Sequence, residues 1–349
     1  MSTQKAIQIK GPGDAELVTN AQVPELRDDY IIVKTAAVAL NPTDWKHIDF
    51  LASPGATVGC DYSGTVEQVG AAVTTGLKIG DRVMGLIHGS NYSNNEDGSF
   101  AEYIAAKGDI QIRIPDEMSF EDAATLGVGI VTAGQGLYQS LGLPLPSEPA
   151  KEPFPALIYG GSTATGTLAI QLAKLSGLQV ITTCSPRSFA LVRSMGADYV
   201  FDYDSPNCAS DMRRVTKDLL GFAFDTVSTQ KTANLCSAAI GSGGGKYTSL
   251  SPIPSLPRDD VSNASTMAFT AIGESFIMNG IEIPAKPEDH VFAVKWTRLA
   301  GDLLFRRKLK PHPAEVRPGG LHGVLGGLQE MRDGKVSGVK LVYSIEGLV

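Results

Sequence analysis

The 349-residue chain has only four cysteines, two tryptophans and five histidines. Cys60, Cys184, Cys208 and Cys236 are far apart in sequence, which excludes a C-x-x-C site and fits a reducing compartment, the cytosol by default. No apolar run approaches the length of a membrane span, and Met1–Lys10 has no continuous apolar core of a secretory signal. Basic excess is also missing: 30 Lys and Arg against 37 Asp and Glu give a net charge of −7. There is no surplus to neutralise nucleic-acid phosphates, and the run Arg306-Arg307-Lys308 reads as a solvated helix face. His47, His88, His290, His312 and His322 show no metal spacing and read as structural or exposed. With 43% hydrophobic and 19% charged residues, the chain has the make-up of a globular protein long enough for two domains.

Short β-like runs fill the first third: Tyr30–Ala37, Asp61–Gly70, Asp81–Ile87 and Ala101–Ile104, each bounded by Gly, Pro or Asn. Without long helices between them they suggest a barrel-like β domain. The prolines of Leu143–Pro155 mark an exposed loop. Beyond it, strands Ala156–Tyr159, Gln179–Thr183, Tyr199–Asp202, Phe222–Val227 and Lys246–Leu250 alternate with helices near 166–176, 187–195, 208–219 and 231–239. This is the rhythm of βαβ units on a doubly wound parallel sheet. A helix over Val291–Arg307 and a strand–helix–strand ending at Leu341–Ile345 close the chain and are expected to complete the β domain.

The stretch Gly160-Gly161-Ser162-Thr163-Ala164-Thr165-Gly166 lies between the first of these strands and its helix. Such a turn aims backbone N–H groups and a helix N-terminus at a pyrophosphate. Read as G-x-G-x-x-G, its middle glycine is replaced by Thr163; Ser162, Thr163 and Thr165 offer hydroxyls instead. A polar β–α turn of another α/β protein fits the same residues, and the four following βα units favour the dinucleotide. Where NAD sites carry an acid, after the second strand, this chain reads Cys184-Ser185-Pro186-Arg187-Ser188 with no carboxylate. Ser185 and Arg187 suit a 2′-phosphate, hence NADPH. Ser185-Pro186 is also an ordinary helix-capping pair, and both readings can hold together.

With Asn41-Pro42-Thr43-Asp44, Gly59-Cys60-Asp61-Tyr62-Ser63-Gly64, Gly80-Asp81-Arg82-Val83 and Gly98-Ser99-Phe100-Ala101-Glu102-Tyr103, nearly the whole chain resembles a medium-chain dehydrogenase/reductase of the quinone-oxidoreductase-like kind. Within that family Tyr159–Thr165, Thr183–Pro186, Val200–Tyr203, Leu141–Pro146 and Ser337–Val342 are similar to the fungal trans-acting enoyl reductases of polyketide synthases. The resemblance implies an α/β chain: a discontinuous GroES-like β-rich catalytic domain, 1–125 with 289–349, and a Rossmann NADPH-binding domain, 126–288. Zinc-dependent relatives have Cys where Asn41 stands and His where Cys60 stands. Asn is a poor zinc ligand and one Cys60 cannot build a three-ligand site, so no metal is expected; Cys60 reads as a small buried residue.

The resemblance further implies roles. Lys46 and Thr132 are the candidate catalytic residues; in isolation they would read as a solvated lysine and a helix threonine bonding its own turn. Cofactor contacts fall to Thr43, Asp44, Trp45, Lys46, Ser162, Thr163, Ala164, Thr165, Ser185, Pro186, Arg187, Ser188, Tyr203, Leu250, Ser251, Ser337 and Gly338. Thr132, Ala133, Gly134, Gln135, Gly136, Leu137, Tyr138 and Gln139 would line one wall of the acyl pocket. Phe269, Thr270, Ala271, Ile272 and Gly273 would line the other. The implied partner is a polyketide synthase presenting an enoyl thioester on its acyl carrier domain. Pro284 and Pro287 remove ladder donors from a region where family dimers pair edge strands, so a monomer is expected. A free-standing NADPH quinone or alkenal reductase shares all but the subfamily stretches. A non-catalytic NADPH-binding protein is the reading from another class.

Overall fold

The computed structural model describes residues 2–345. The chain divides into two compact units, residues 1–128 with 269–349, and residues 129–268.

In the first unit the strand Tyr30–Ala39 is buried at every position but Lys34. It pairs antiparallel with Asp61–Val69, Tyr103–Lys107 and Lys340–Ser344 in a seven-stranded sheet. Both of its faces are covered: Ile31 and Val33 join one apolar cluster, Tyr30 and Ile32 another. That is why the sequence there is continuously apolar rather than alternating. A helix, Pro42–Phe50, follows that strand directly. Its Ile48 packs with Ile7, Val38, Phe100 and the Leu321–Leu328 face of the helix Gly320–Arg332.

The second unit is built on a six-stranded parallel sheet. Its strands are Pro155–Tyr159, Gln179–Cys184, Tyr199–Asp202, Phe222–Asp225, Gly245–Ser249 and Val261–Ser265. In space their chain order runs third, second, first, fourth, fifth, sixth, the doubly wound arrangement. Pro155–Tyr159 is buried at all five positions because it is central. The sixth strand escaped the sequence reading: Val-Ser-Asn-Ala-Ser is polar and exposed beyond its first residue.

Residues 269–288, assigned from sequence to the nucleotide-binding domain, belong to the first unit. Phe269 stacks on His88 with ring centroids 3.9 Å apart, and Glu274 accepts hydrogen bonds from Lys107 Nζ at 2.8 Å and Tyr30 Oη at 2.7 Å. A hairpin, Phe276–Met278 with Ile281–Ile283, follows. Pro287 then opens the helix Pro287–Phe305 at its first turn, where a missing N–H costs nothing.

Candidate active site

All strands of the second unit run the same way, so their carboxyl ends lie on one edge. The glycine-rich turn leaves that edge from the first strand, at the point where the strand order reverses and where such sheets bind ligands. Ser185–Ser188, Tyr203 and Leu250–Ser251 leave it from the second, third and fifth strands. The sequence-predicted cofactor residues of this unit therefore share one edge.

Within the turn, Gly160 has φ +77°, and a Cβ on Gly166 would lie 2.2 Å from the Gly160 carbonyl oxygen. The turn closes only because both lack side chains. Thr163 is the N-cap of the helix Ala164–Leu175, its Oγ1 accepting from Gly166 N–H at 2.9 Å. The same hydroxyl lies 2.9 Å from Thr226 Oγ1, whose own proton goes to the Tyr159 carbonyl. Thr163 thus donates to Thr226 and its hydroxyl is spent on the fold. The phosphate donors left are the half-buried Ser162 and Thr165 hydroxyls and the first-turn amides of Ala164 and Thr165.

Two features of this edge were missed in the sequence. Asp225 is fully buried at the end of its strand. It accepts from Val227 and Ser228 N–H at 2.9 Å each, Thr232 Oγ1 at 2.5 Å and Tyr247 Oη at 2.8 Å. Ser228 Oγ in turn accepts from Leu250 N–H at 2.7 Å, tying the ends of the fourth and fifth strands together. The sequence signal was the polar Asp225-Thr226-Val227-Ser228-Thr229, read as a strand ending. Second, Asp202 pairs in register with Cys184, one residue before Ser185. Its Oδ1 accepts from Asp204 N–H at 3.0 Å, a local turn. Between Ser185 and Ser188, Pro186 and Arg187 are exposed.

In the first unit, Asn41 caps the helix Pro42–Phe50 and its N–H donates to Asp44 Oδ2 at 2.7 Å. Burial pushes the Asp44 carboxyl up to about 7, Asp61 adds to the rise, and the Asn41 amide opposes it. Asp44 faces the interior; Lys46, two residues on, is exposed, with Nζ 5.8 Å from the Trp45 ring centroid. Thr43 lies one turn before Lys46 on the same side. Ser337 is exposed in the turn before the strand Lys340–Ser344, and Gly338 there has φ +71°.

Behind this helix lies a buried charge network. Asp61, fully buried, accepts from Asn41 Nδ2 at 2.9 Å, Val128 N–H at 2.7 Å and Lys340 Nζ. Burial, with the Asp44 carboxyl beside it, pushes the Cys60 thiol well above its ordinary value. At these two positions the structure places an amide whose Nδ2 donates to Asp61 and a buried thiol. Among the described residues no group of three or more His, Cys, Asp or Glu is placed to hold a metal ion.

The two expected acyl-pocket walls divide between the units. Thr132 stands on the helix Gly127–Gly134, 7% exposed. Beyond it the stretch serves the interior of its own unit: a Cβ on Gly136 would lie 2.5 Å from Phe224, and Tyr138 Oη meets Ser176 Oγ at 3.1 Å. Gln139 turns outward. In the first unit Phe269–Ile272 is buried in one 3-10 turn, with the Ala271 carbonyl bonded to His290 Nδ1 at 2.8 Å.

Residues 27–116 match the family described as Alcohol dehydrogenase GroES-like domain, and residues 164–255 that described as Zinc-binding dehydrogenase. A trans-enoyl reductase of Alternaria alternata is 48% identical over 347 residues, covering 99% of this chain and 100% of its own. One from Cochliobolus carbonum is 53% identical, covering 82% and 96%. The chain belongs to the trans-enoyl reductases. It is an oxidoreductase of the medium-chain dehydrogenase/reductase type. Its fold is also that of the CurK enoyl reductase, with a TM-score of 0.77 at 18% identity and 98% and 99% coverage. A quinone oxidoreductase from Coxiella burnetii superposes with a TM-score of 0.74 at 24% identity, covering 99% and 100%.

The match to the family described as Zinc-binding dehydrogenase lies within the parallel-sheet unit, whereas Asn41 and Cys60 lie in the other unit. No helix among the described residues is long and apolar enough to cross a membrane.

Proposed function

We propose that the enzyme reduces the α,β double bond of an acyl thioester held on the acyl carrier domain of a polyketide synthase, using NADPH and no metal. Its relatedness to trans-enoyl reductases over almost its whole length carries this reading. When bound, the reduced coenzyme supplies hydride to the β-carbon. The chain's own residues do the rest. Ser162, Thr165 and the amides opening the helix Ala164–Leu175 hold the pyrophosphate. Ser185 and Arg187 favour the 2′-phosphate because no carboxylate follows Cys184 directly.

Negative charge develops on the thioester carbonyl oxygen as hydride arrives. Thr132 and Lys46 are assigned to stabilise it, Thr132 through its hydroxyl and Lys46 through its ammonium. The α-carbon then takes a proton relayed by Lys46 or drawn from solvent. Thr43, Tyr203, Leu250, Ser251 and Ser337 complete the coenzyme contacts in this reading, and the enzyme works as a cytosolic monomer.

Following NADPH absorbance with a crotonyl-type thioester, with a quinone and with no substrate tests it. Oxidation with the thioester is expected, and it should slow with NADH or in the Arg187→Ala variant. Oxidation with the quinone alone would make the enzyme a quinone reductase. No oxidation with either, despite coenzyme binding, would leave a binding protein.

A further inference from the structure

In the parallel sheet the fourth strand lies between the first and the fifth. The residues at its carboxyl end, 225–229, therefore stand between two segments assigned to the coenzyme, the glycine-rich turn and Leu250–Ser251. Both are fastened to it, all within the second unit. On one side Thr226 Oγ1 donates to the Tyr159 carbonyl at 2.8 Å and accepts from Thr163 Oγ1 at 2.9 Å. A Cβ on Gly160 would lie 2.8 Å from Val227 Cγ2. On the other side Ser228 Oγ accepts from Leu250 N–H at 2.7 Å. None of these five residues was among those expected to serve the coenzyme.

Ser228 has φ +62°, in the left-handed region where glycine is the easier residue. The buried Asp225 carboxylate holds its backbone there. One oxygen accepts from the Val227 and Ser228 amides at 2.9 Å each, and the Thr232 and Tyr247 hydroxyls fix the other. The Ser228 hydroxyl donates to the Asp225 carbonyl at 3.1 Å, which leaves its oxygen as the acceptor for Leu250. Ser249 Oγ, donating to the Ser251 carbonyl at 2.8 Å, fixes the same loop from within. Strain kept where glycine would relieve it points to a side chain that is needed. What this side chain does is set Leu250.

We propose that Ser228 is a positioning residue for the coenzyme. Its hydroxyl holds Leu250–Ser251 at a set distance from the glycine-rich turn, so that the nicotinamide half meets both. The inference rests on the NADPH reading above, and the order of the strands supplies the half concerned. Ser185 and Arg187, assigned to the 2′-phosphate, follow the second strand on one side of the turn, and Leu250–Ser251 follows the fifth on the other. A coenzyme with its adenosine end at the second strand and its pyrophosphate at the first carries its nicotinamide half over the fourth and fifth.

The test uses the full-length chain, with NADPH and adenosine 2′,5′-bisphosphate titrated as separate probes and a urea midpoint for each variant. Ser228→Gly and Ser228→Ala both remove the hydroxyl, but only Ala keeps a Cβ at positive φ. Both should weaken NADPH by about tenfold, the scale of one lost hydrogen bond, and leave the bisphosphate unchanged. Ala should unfold at lower urea than Gly. Affinity then follows the hydroxyl and stability the Cβ. NADPH affinity unchanged in folded Ser228→Gly would overturn the proposal. So would a loss shared equally by the bisphosphate, or one that tracks the urea midpoint, since either would make Ser228 structural only. Should neither variant fold, amide exchange in the wild type decides: Leu250 N–H is expected to be protected without coenzyme, and exchange as fast as an open loop would overturn the proposal. A wild type that binds neither probe is a different result, and it removes the NADPH reading on which this one rests.

Discussion

Lys46 and Asp44 lie two positions apart on the helix Pro42–Phe50, one exposed and the other 1% exposed. Removing the Lys46 ammonium should slow thioester reduction by at least about tenfold, roughly 1.4 kcal/mol of transition-state stabilisation. Turnover of Lys46→Ala measured against wild type checks this, and an unchanged kcat would take Lys46 out of the site. Asp44 acts on stability instead. Its folded value near 7 exceeds that of the unfolded chain. The folded state therefore holds a proton that the unfolded state has released, and stability falls as pH rises from about 4 to about 7. Asp44→Asn keeps the oxygen that caps Asn41 but cannot ionise. Urea midpoints at about pH 5 and about pH 8 should show the Asn variant gaining on wild type at the higher pH. A gap independent of pH would contradict the assignment.

The strand Lys340–Ser344 reaches the centre of the first sheet from the far end of the chain. Lys340 Nζ, 3% exposed in its side chain, pairs there with fully buried Asp61, 279 residues away in sequence. Lys340→Met would leave that carboxylate buried without its cation, at a cost of about 3–5 kcal/mol. Chemical denaturation measures it; a loss below about 1 kcal/mol, the scale of a surface pair, would show the network to be solvated. This pairing was invisible in the sequence because nothing local marks it. Five of the six parallel strands were legible as short runs between turns, whereas Val261–Ser265 was not, being polar and exposed beyond its first residue. Thr163 was legible as a departure from the glycine pattern, but its cap to Gly166 and its bond to Thr226 needed coordinates. The helix Pro42–Phe50 was hidden by Asn41-Pro42, which reads as a turn although proline is at home in a helix's first turn. The hairpin 276–283 was assigned to the wrong unit because Glu274's partners, Lys107 and Tyr30, are remote in sequence.

For the whole molecule, the chemistry was read from idiosyncratic stretches such as Tyr159–Thr165 and Thr183–Pro186 rather than from the glycine turn, which many α/β proteins share. Hydride delivery to a carbon–carbon double bond on a carrier domain is the claim on which the rest depends. It is tested most directly with NADPH deuterated at the transferable position and a carrier-bound enoyl thioester, reading the product by mass spectrometry and NMR. One deuterium at the β-carbon, with a solvent proton at the α-carbon, is the result the account predicts. A saturated product without label at the β-carbon, or label delivered to the carbonyl carbon, would contradict it.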